Sequence, residues 1–312
     1  MNKPSRRTNK FFQASRLLKQ WSLGGLLASS LLSAQAQPTA APSQTPAALE
    51  LKVINHGPQS FHVNSVLVMG AQEALLLDAG FTRADALRVA AAVLDSGKKL
   101  STIYVSAADP DFYFGLEVLR QQFPDARIVA AAPTLKKIEA SLPSKLKIWG
   151  PRLAANAPRT PVLPELLVGN QLTLEGQTFE LRGLDDNLAH RSYVWIPSIK
   201  AVVGGVNVFG GLHAWTADTQ SPAERAAWLA KLNAIAALQP LTVVPGHMLP
   251  GSALDASSIS YTINYLQRFE AELAKAPNAA GLIGSMKAAY PQAGLGIALE
   301  IGAKVNKGEM KW

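Results

Sequence analysis

The sequence predicts an α/β chain in which two β-sheets pack face to face with helices outside, an αββα sandwich. Three observations carry this. Residues 73–131 alternate short apolar runs with a helix-period segment over short connections, so part of the sheet is layered with helices. Strand-like segments then return between residues 171 and 203. From about residue 253 the chain is mostly helical. The chain thus reads as two similar halves, strands first and helices after.

The elements follow in order. Residues 51–55 and 61–69 alternate or run apolar, as strands do. Residues 73–78, EALLLD, are a short buried strand ending in an acid. Residues 83–94 carry apolar side chains at helical spacing and stop at Gly97. A strand at 102–105, a helix at 111–123 and a strand at 127–131 complete the first run. Residues 132–158 hold Pro143 and Pro151. Proline removes an intrahelical donor and clashes with the preceding turn, so broken helices over the domain edge are expected. Strands are expected at 171–174, 178–181, 192–196 and 201–203. Residues 222–238 form an amphipathic helix, with Ser221 as N-cap before Pro222 at the first position. A buried strand at 241–244 runs into Pro245-Gly246-His247.

The N-terminus carries an export pattern. Six basic residues (Lys3, Arg6, Arg7, Lys10, Arg16 and Lys19) and no acidic ones lie in residues 1–20. The apolar stretch WSLGGLLASSLLSA follows and ends at Ala34-Gln35-Ala36, which reads as a signal peptide cleaved after Ala36. Residues 37–48, rich in Pro, Ala, Thr and Gln, read as a disordered spacer, and residues 49–312 as one domain. The mature chain is therefore expected in the periplasm or secreted, without stable membrane insertion. Processing removes six of the 30 basic residues and none of the 22 acidic ones, which lowers the net charge from +8 to +2. The whole-chain basicity is thus no argument for nucleic-acid binding. There are no cysteines, so any metal must be held by His, Asp or Glu.

Three segments together resemble the metallo-β-lactamase superfamily. They are LLLDAGF (residues 75–81), the strand running into SAADPDFYFG (106–115), and VVPGHM (243–248). The resemblance implies the αββα metallo-β-lactamase fold and a metal centre on these loops. It also implies which positions have changed. The family's two first histidines fall on Ala107 and Asp109, its Asp on Asp111, and its next His on Phe112. The bridging Asp falls on Val206, the late His on His247, and a further His on His190. The implied ligand set is therefore Asp109, Asp111, His190 and His247, a degenerate motif holding one divalent ion. Zn, Mn or Fe are the expected metals, and so oxygen-rich a set suits Mn, Mg or Ca better than a nitrogen-rich one would.

Each residue also has a plainer reading. Asp109 and Asp111 flank Pro110 at a helix start, where an acid serves as a cap. His247 could be a satisfied loop histidine. His213 lies in a turn-rich segment and is placed at the same mouth, whereas His56 and His62 read as structural. Asp78 reads as a residue that orients the ligand loop. Among the nearby aromatics Phe112, Tyr113, Trp195, Phe209 and Trp215, the pocket-wall candidates are Phe209 and Trp215.

Three functions remain open. The first is an exported hydrolase in which metal-bound water attacks an ester, amide or lactone of a small-molecule substrate, with Asp111 and His247 catalytic. The second is a non-catalytic binding protein on the same scaffold. The third is a metal-independent hydrolase using Asp111 and His247 as acid and base.

Overall fold

In the computed structural model, which describes residues 48–185 and 187–312, β1 (Glu50–Asn55) pairs antiparallel with β2 (Asn64–Met69), and β2 with β3 (Glu73–Leu77). Helix α1 (Arg83–Ser96) returns the chain so that β4 (Lys99–Val105) lies parallel to β3. A Thr82/Asp85 capping box starts α1, and Gly97 in the left-handed region ends it. Two short helices, α2 (Pro110–Tyr113) and α3 (Leu116–Gln122), lead to β5 (Arg127–Ala130), and α4 (Ala132–Leu153) leads to β6 (Glu165–Leu166). The first sheet has the order β1-β2-β3-β4-β5-β6.

The second half supplies β7 (Gln171–Leu174), β8 (Gln177–Arg182), β9 (Tyr193–Ile196), β10 (Ala201–Val203) and β11 (Phe209–Gly210). Helix α5 (Pro222–Ala237), with its Ser221/Glu224 capping box, precedes β12 (Thr242–Val243) and β13 (His247–Met248). Helices α6 (Ser257–Lys275), α7 (Ala279–Ala289) and α8 (Gly296–Asn306) follow. The second sheet has the order β12-β10-β9-β8-β7, and β11 pairs with β13 as a separate parallel ribbon.

The strand sequences explain the layering. Side chains alternate across a strand, and here both faces are buried. Val66, Val68, Leu75, Leu77 and Tyr104 of the first sheet pack with Leu172, Phe179, Leu181, Val194 and Ile196 of the second, forming the dry interior between the sheets. Their neighbours Leu67, Leu76, Ile103 and Val105, and Trp195 and Val202 of the second sheet, belong to the core shared with the helices. An αββα sandwich results, as the sequence predicts.

Three local expectations need correction. Residues 132–153 form one continuous helix, α4, despite Pro143 and Pro151. The carbonyls these prolines leave unpaired belong to Glu139 and Lys147, which are exposed, so water can satisfy them. The strand expected at 61–69 begins only at Asn64, because Phe61 and His62 adopt left-handed φ values of 55° and 56°. The helix expected at 111–123 is divided at Phe114–Gly115, where the Gly115 N–H turns aside to donate to Gly80 O. Among the described residues no helix is long and apolar enough to cross a membrane. The expected signal peptide, and the spacer as far as residue 47, lie outside the described residues.

Candidate functional site

The site loops are fixed from beneath by Asp78, at the end of β3. Its Oδ1 accepts from Ser106 N at 2.8 Å and its Oδ2 from Ser106 Oγ at 2.6 Å. Ser106 Oγ in turn accepts from Gly205 N at 2.6 Å, and Ser106 O accepts from Ser192 Oγ at 2.9 Å. Tyr104 Oη lies 2.8 Å from Ser192 Oγ. This chain of bonds ties the loop after β4 to the loop after β10. Burial pushes the Asp78 carboxyl up to about 7, against the two Ser106 bonds that lower it.

His247 reaches the same place because of Gly246. A Cβ on Gly246 would lie 2.2 Å from Gly205 O, so only glycine allows the two loops to touch. Pairing of β13 with β11 then seats the His247 ring against Phe209, with centroids 5.1 Å apart and planes 9° apart. Phe112 meets the imidazole edge-on at 5.6 Å. Nδ1 lies 2.9 Å from Phe61 O. A carbonyl can only accept, so Nδ1 carries the proton and Nε2 presents its lone pair.

Nε2 faces Asp111 Oδ2 at 3.4 Å. Asp111 sits in the first turn of α2 and is buried. Burial raises its carboxyl well above the usual range, and the neighbouring Asp109 adds to this. Burial also lowers His247 to about 4, against the Phe61 bond that raises it. At neutral pH the pair therefore holds a neutral imidazole beside a carboxyl that resists ionisation. Asp109 occupies the N-cap position of α2 but makes no side-chain cap bond, so helix capping does not account for it. Its carboxyl is raised by burial and by Asp218, with Arg191 and two lysines acting against.

Asp109, Asp111 and His247 line one cavity, walled by Phe61, Phe81, Trp149, Phe209, Trp215 and Trp312. Its volume is about 470 Å³ counting the open mouth. Asp218 closes one side. Its two oxygens accept from Trp215 Nε1 at 2.7 Å and Trp312 Nε1 at 2.8 Å. Burial alone would raise Asp218, but Lys145, Arg191 and the two indole donors bring it below its usual value.

The metal implied by the resemblance can be tested against these donors. Two ligands at about 2.1 Å from a tetrahedral ion stand about 3.4 Å apart, so Asp111 and His247 have the spacing of half a site. Among the described residues, no group of three His, Asp or Glu side chains is placed to hold an ion. Val206, at the bridging position, lines the cavity with apolar atoms, and Phe112 packs on His247. The described residues do not complete a metal site.

The remaining predicted residues separate. His190 lines a neighbouring surface groove with Asp109, Lys137 and Asp218, not the cavity of Asp111 and His247. Burial and the nearby Arg191 lower its pKa to about 4. His213, expected at the mouth, instead places Nδ1 3.1 Å from Tyr265 Oη within the helical layer. His56 is structural, between Ser65 at 3.0 Å and Asp85 at 3.4 Å.

Four participants went unread in the sequence: Lys145, Trp149, Asp218 and Trp312. Each lies far in sequence from the recognised motifs. Arg191 is a fifth. Its side chain is 1% exposed, its guanidinium lies 5.2 Å over Trp228, and none of its three nitrogens has a hydrogen-bond partner among the described residues. A lone arginine before an apolar strand, as in HRSYVWI, was the available signal.

A helix-covered two-sheet sandwich with its polar groups gathered on loops after the strands defines an αββα protein. A family model described as the metallo-beta-lactamase superfamily matches residues 59–247, and the chain belongs to that superfamily. It is similar in fold to a metallo-beta-lactamase family protein from Thermus thermophilus, with a TM-score of 0.60 and 16% identity over 84% of this chain and 92% of that one. A metallo-beta-lactamase from Pontibacter korlensis aligns with a TM-score of 0.48 and 17% identity, over 70% of this chain and 99% of that one. The chain matches none of the curated proteins with which it was compared.

Proposed function

We propose that this chain is an exported hydrolase that opens an ester-, amide- or lactone-type bond of a small molecule, using Asp111 and His247 as an acid–base pair without a resident metal. The observation that carries this is the 3.4 Å approach of His247 Nε2 to Asp111 Oδ2 on the cavity wall, with no third His, Asp or Glu among the described residues placed to hold an ion with them. The metal-bound water implied by the family resemblance needs at least three good ligands, and among the described residues Asp111 and His247 have no third ligand in position to complete the set. Export rests on the basic, apolar and Ala-Gln-Ala pattern of residues 1–36.

The chemistry follows from the protonation of the pair. The Nε2 lone pair takes a proton from water as the water oxygen bonds to the substrate carbonyl carbon. Protonated Asp111 gives its proton to the leaving oxygen or nitrogen as that bond breaks. Imidazolium and carboxylate then face each other, and one proton shift restores both. Replacement of the family donors at Ala107, Phe112 and Val206 also favours a second reading, a binding protein without catalysis.

A panel of esters, amides and lactones assayed with chelator separates these readings. Turnover is expected to persist in chelator and to fall by about 10²- to 10⁴-fold in Asp111→Asn and His247→Gln. Turnover that vanishes with chelator and returns with Zn, Mn or Fe would overturn the metal-free mechanism. No turnover on any member would favour the binding protein.

A further inference from the structure

We infer that the aromatic cavity beside Asp111 and His247 is a recognition site for an organic cation, a substituted ammonium group carried by the ligand. This names the ligand class of the site proposed above, but the binding itself does not depend on hydrolysis.

Two features of the wall coincide. Ring faces carry negative charge density and attract a cation placed over them. Trp149, Trp215, Trp312, Phe61 and Phe81 share the lining with the carboxyl groups of Asp109, Asp111 and Asp218. A neutral apolar ligand would use the rings and gain nothing from the acids. An anionic ligand would meet the carboxylate of Asp218. A cation uses both.

Asp218 gives the wall its geometry. Bonds from both indole N–H groups fix Trp215 and Trp312 edge to face, with centroids 5.4 Å apart and planes at 61°. The chain's own Lys145 shows that this wall accepts an ammonium, because its Nζ lies 5.3 Å from the Trp312 ring centroid and the side chain lines the cavity. Lys145 hangs from α4 on a flexible stem and can swing into the adjoining groove, which it also lines. Two further cations lie near but outside the lining: Arg152, whose guanidinium is 4.9 Å from the Trp149 ring centroid, and Arg191, which packs over Trp228. The cavity holds about 470 Å³ counting its open mouth. That space admits a compact trimethylammonium head.

The test uses the full folded chain, with choline, tetramethylammonium and the neutral choline isostere 3,3-dimethylbutan-1-ol as probes, read by tryptophan fluorescence and calorimetry. Choline is expected to saturate the fluorescence change, and the isostere to bind about tenfold more weakly. Asp218→Asn should weaken choline about tenfold and leave the alcohol unchanged, while Lys145→Gln should strengthen choline several-fold. Equal affinity for choline and the alcohol overturns the inference. So does the absence of saturable binding of either cation up to about 10 mM. The choline-to-alcohol ratio on the unaltered chain decides the matter even where a variant fails to fold. A choline ester and its 3,3-dimethylbutyl counterpart keep the two proposals apart. Selective binding without cleavage leaves the cation site standing and removes the hydrolase. Equal cleavage of both esters does the reverse.

Discussion

Two buried polar clusters lie side by side in this molecule and are built on opposite principles. In the cluster of Asp78, Ser106, Ser192 and Tyr104, the groups meet one another or a backbone N–H at 2.6 to 2.9 Å. Around Asp111 and His247 the acid–base approach is 3.4 Å, and nearby Tyr113 Oη and, outside the cavity lining, all three Arg191 nitrogens have no partner among the described residues. Buried polar groups normally find partners because leaving them unmade is costly. The first cluster behaves as structure. The second keeps open valences where the superfamily carries its site, as a place reserved for a ligand would.

This contrast can be broken by substitution. The largest effect is expected at the structural cluster. Asp78→Ala strands the Ser106 N–H and places alanine at a φ of 65°, so chemical denaturation should show a loss of about 4 kcal/mol. A loss under about 1 kcal/mol would mean that the cluster is not what holds the loops.

The next effect depends on pH. Below 6.5 the unfolded chain binds a proton at His247 that the folded chain refuses until about pH 4. Relative to His247→Gln, the wild type should therefore lose stability as pH falls from 6.5 toward 4 and show no difference in slope above 6.5. The full difference is of order 3 kcal/mol. An unchanged difference across that window would show that the imidazole is not buried as described.

The smallest effect is expected at Arg191. Replacing a buried, unpartnered guanidinium with Arg191→Met should leave stability unchanged or raise it by about 1 kcal/mol. A loss above about 3 kcal/mol would move Arg191 into the structural cluster.

Much of this frame is legible in the sequence. Continuous apolar runs such as ALLL at 74–77 mark strands buried on both faces, and Ser221-Pro222 with Glu224 marks a helix start. Asp109, Asp111 and His247 can be assigned to one site because each closes a strand or opens a helix within a recognisable order of motifs. What cannot be read depends on pairing between distant segments. The family resemblance groups His190 with the site and a turn-rich segment groups His213 with it; Tyr265 holds His213 in the helical layer, whereas His190 lines the adjoining groove with Asp109. Trp149 lies on a helix whose two prolines argue for a break, and Trp312 is more than 90 positions from Asp218, which it contacts. No local pattern announces a wall assembled from four parts of the chain.

The claim that Asp111 and His247 have no third ligand in position to hold an ion is tested most directly by the metal content of the purified folded chain, measured together with its melting temperature in added Zn, Mn or Fe. The account predicts far less than one ion per chain and no metal-dependent rise in melting temperature. One tightly held ion per chain would contradict it, as would stabilisation approaching about 2.7 kcal/mol at a free metal concentration near 100 times Kd.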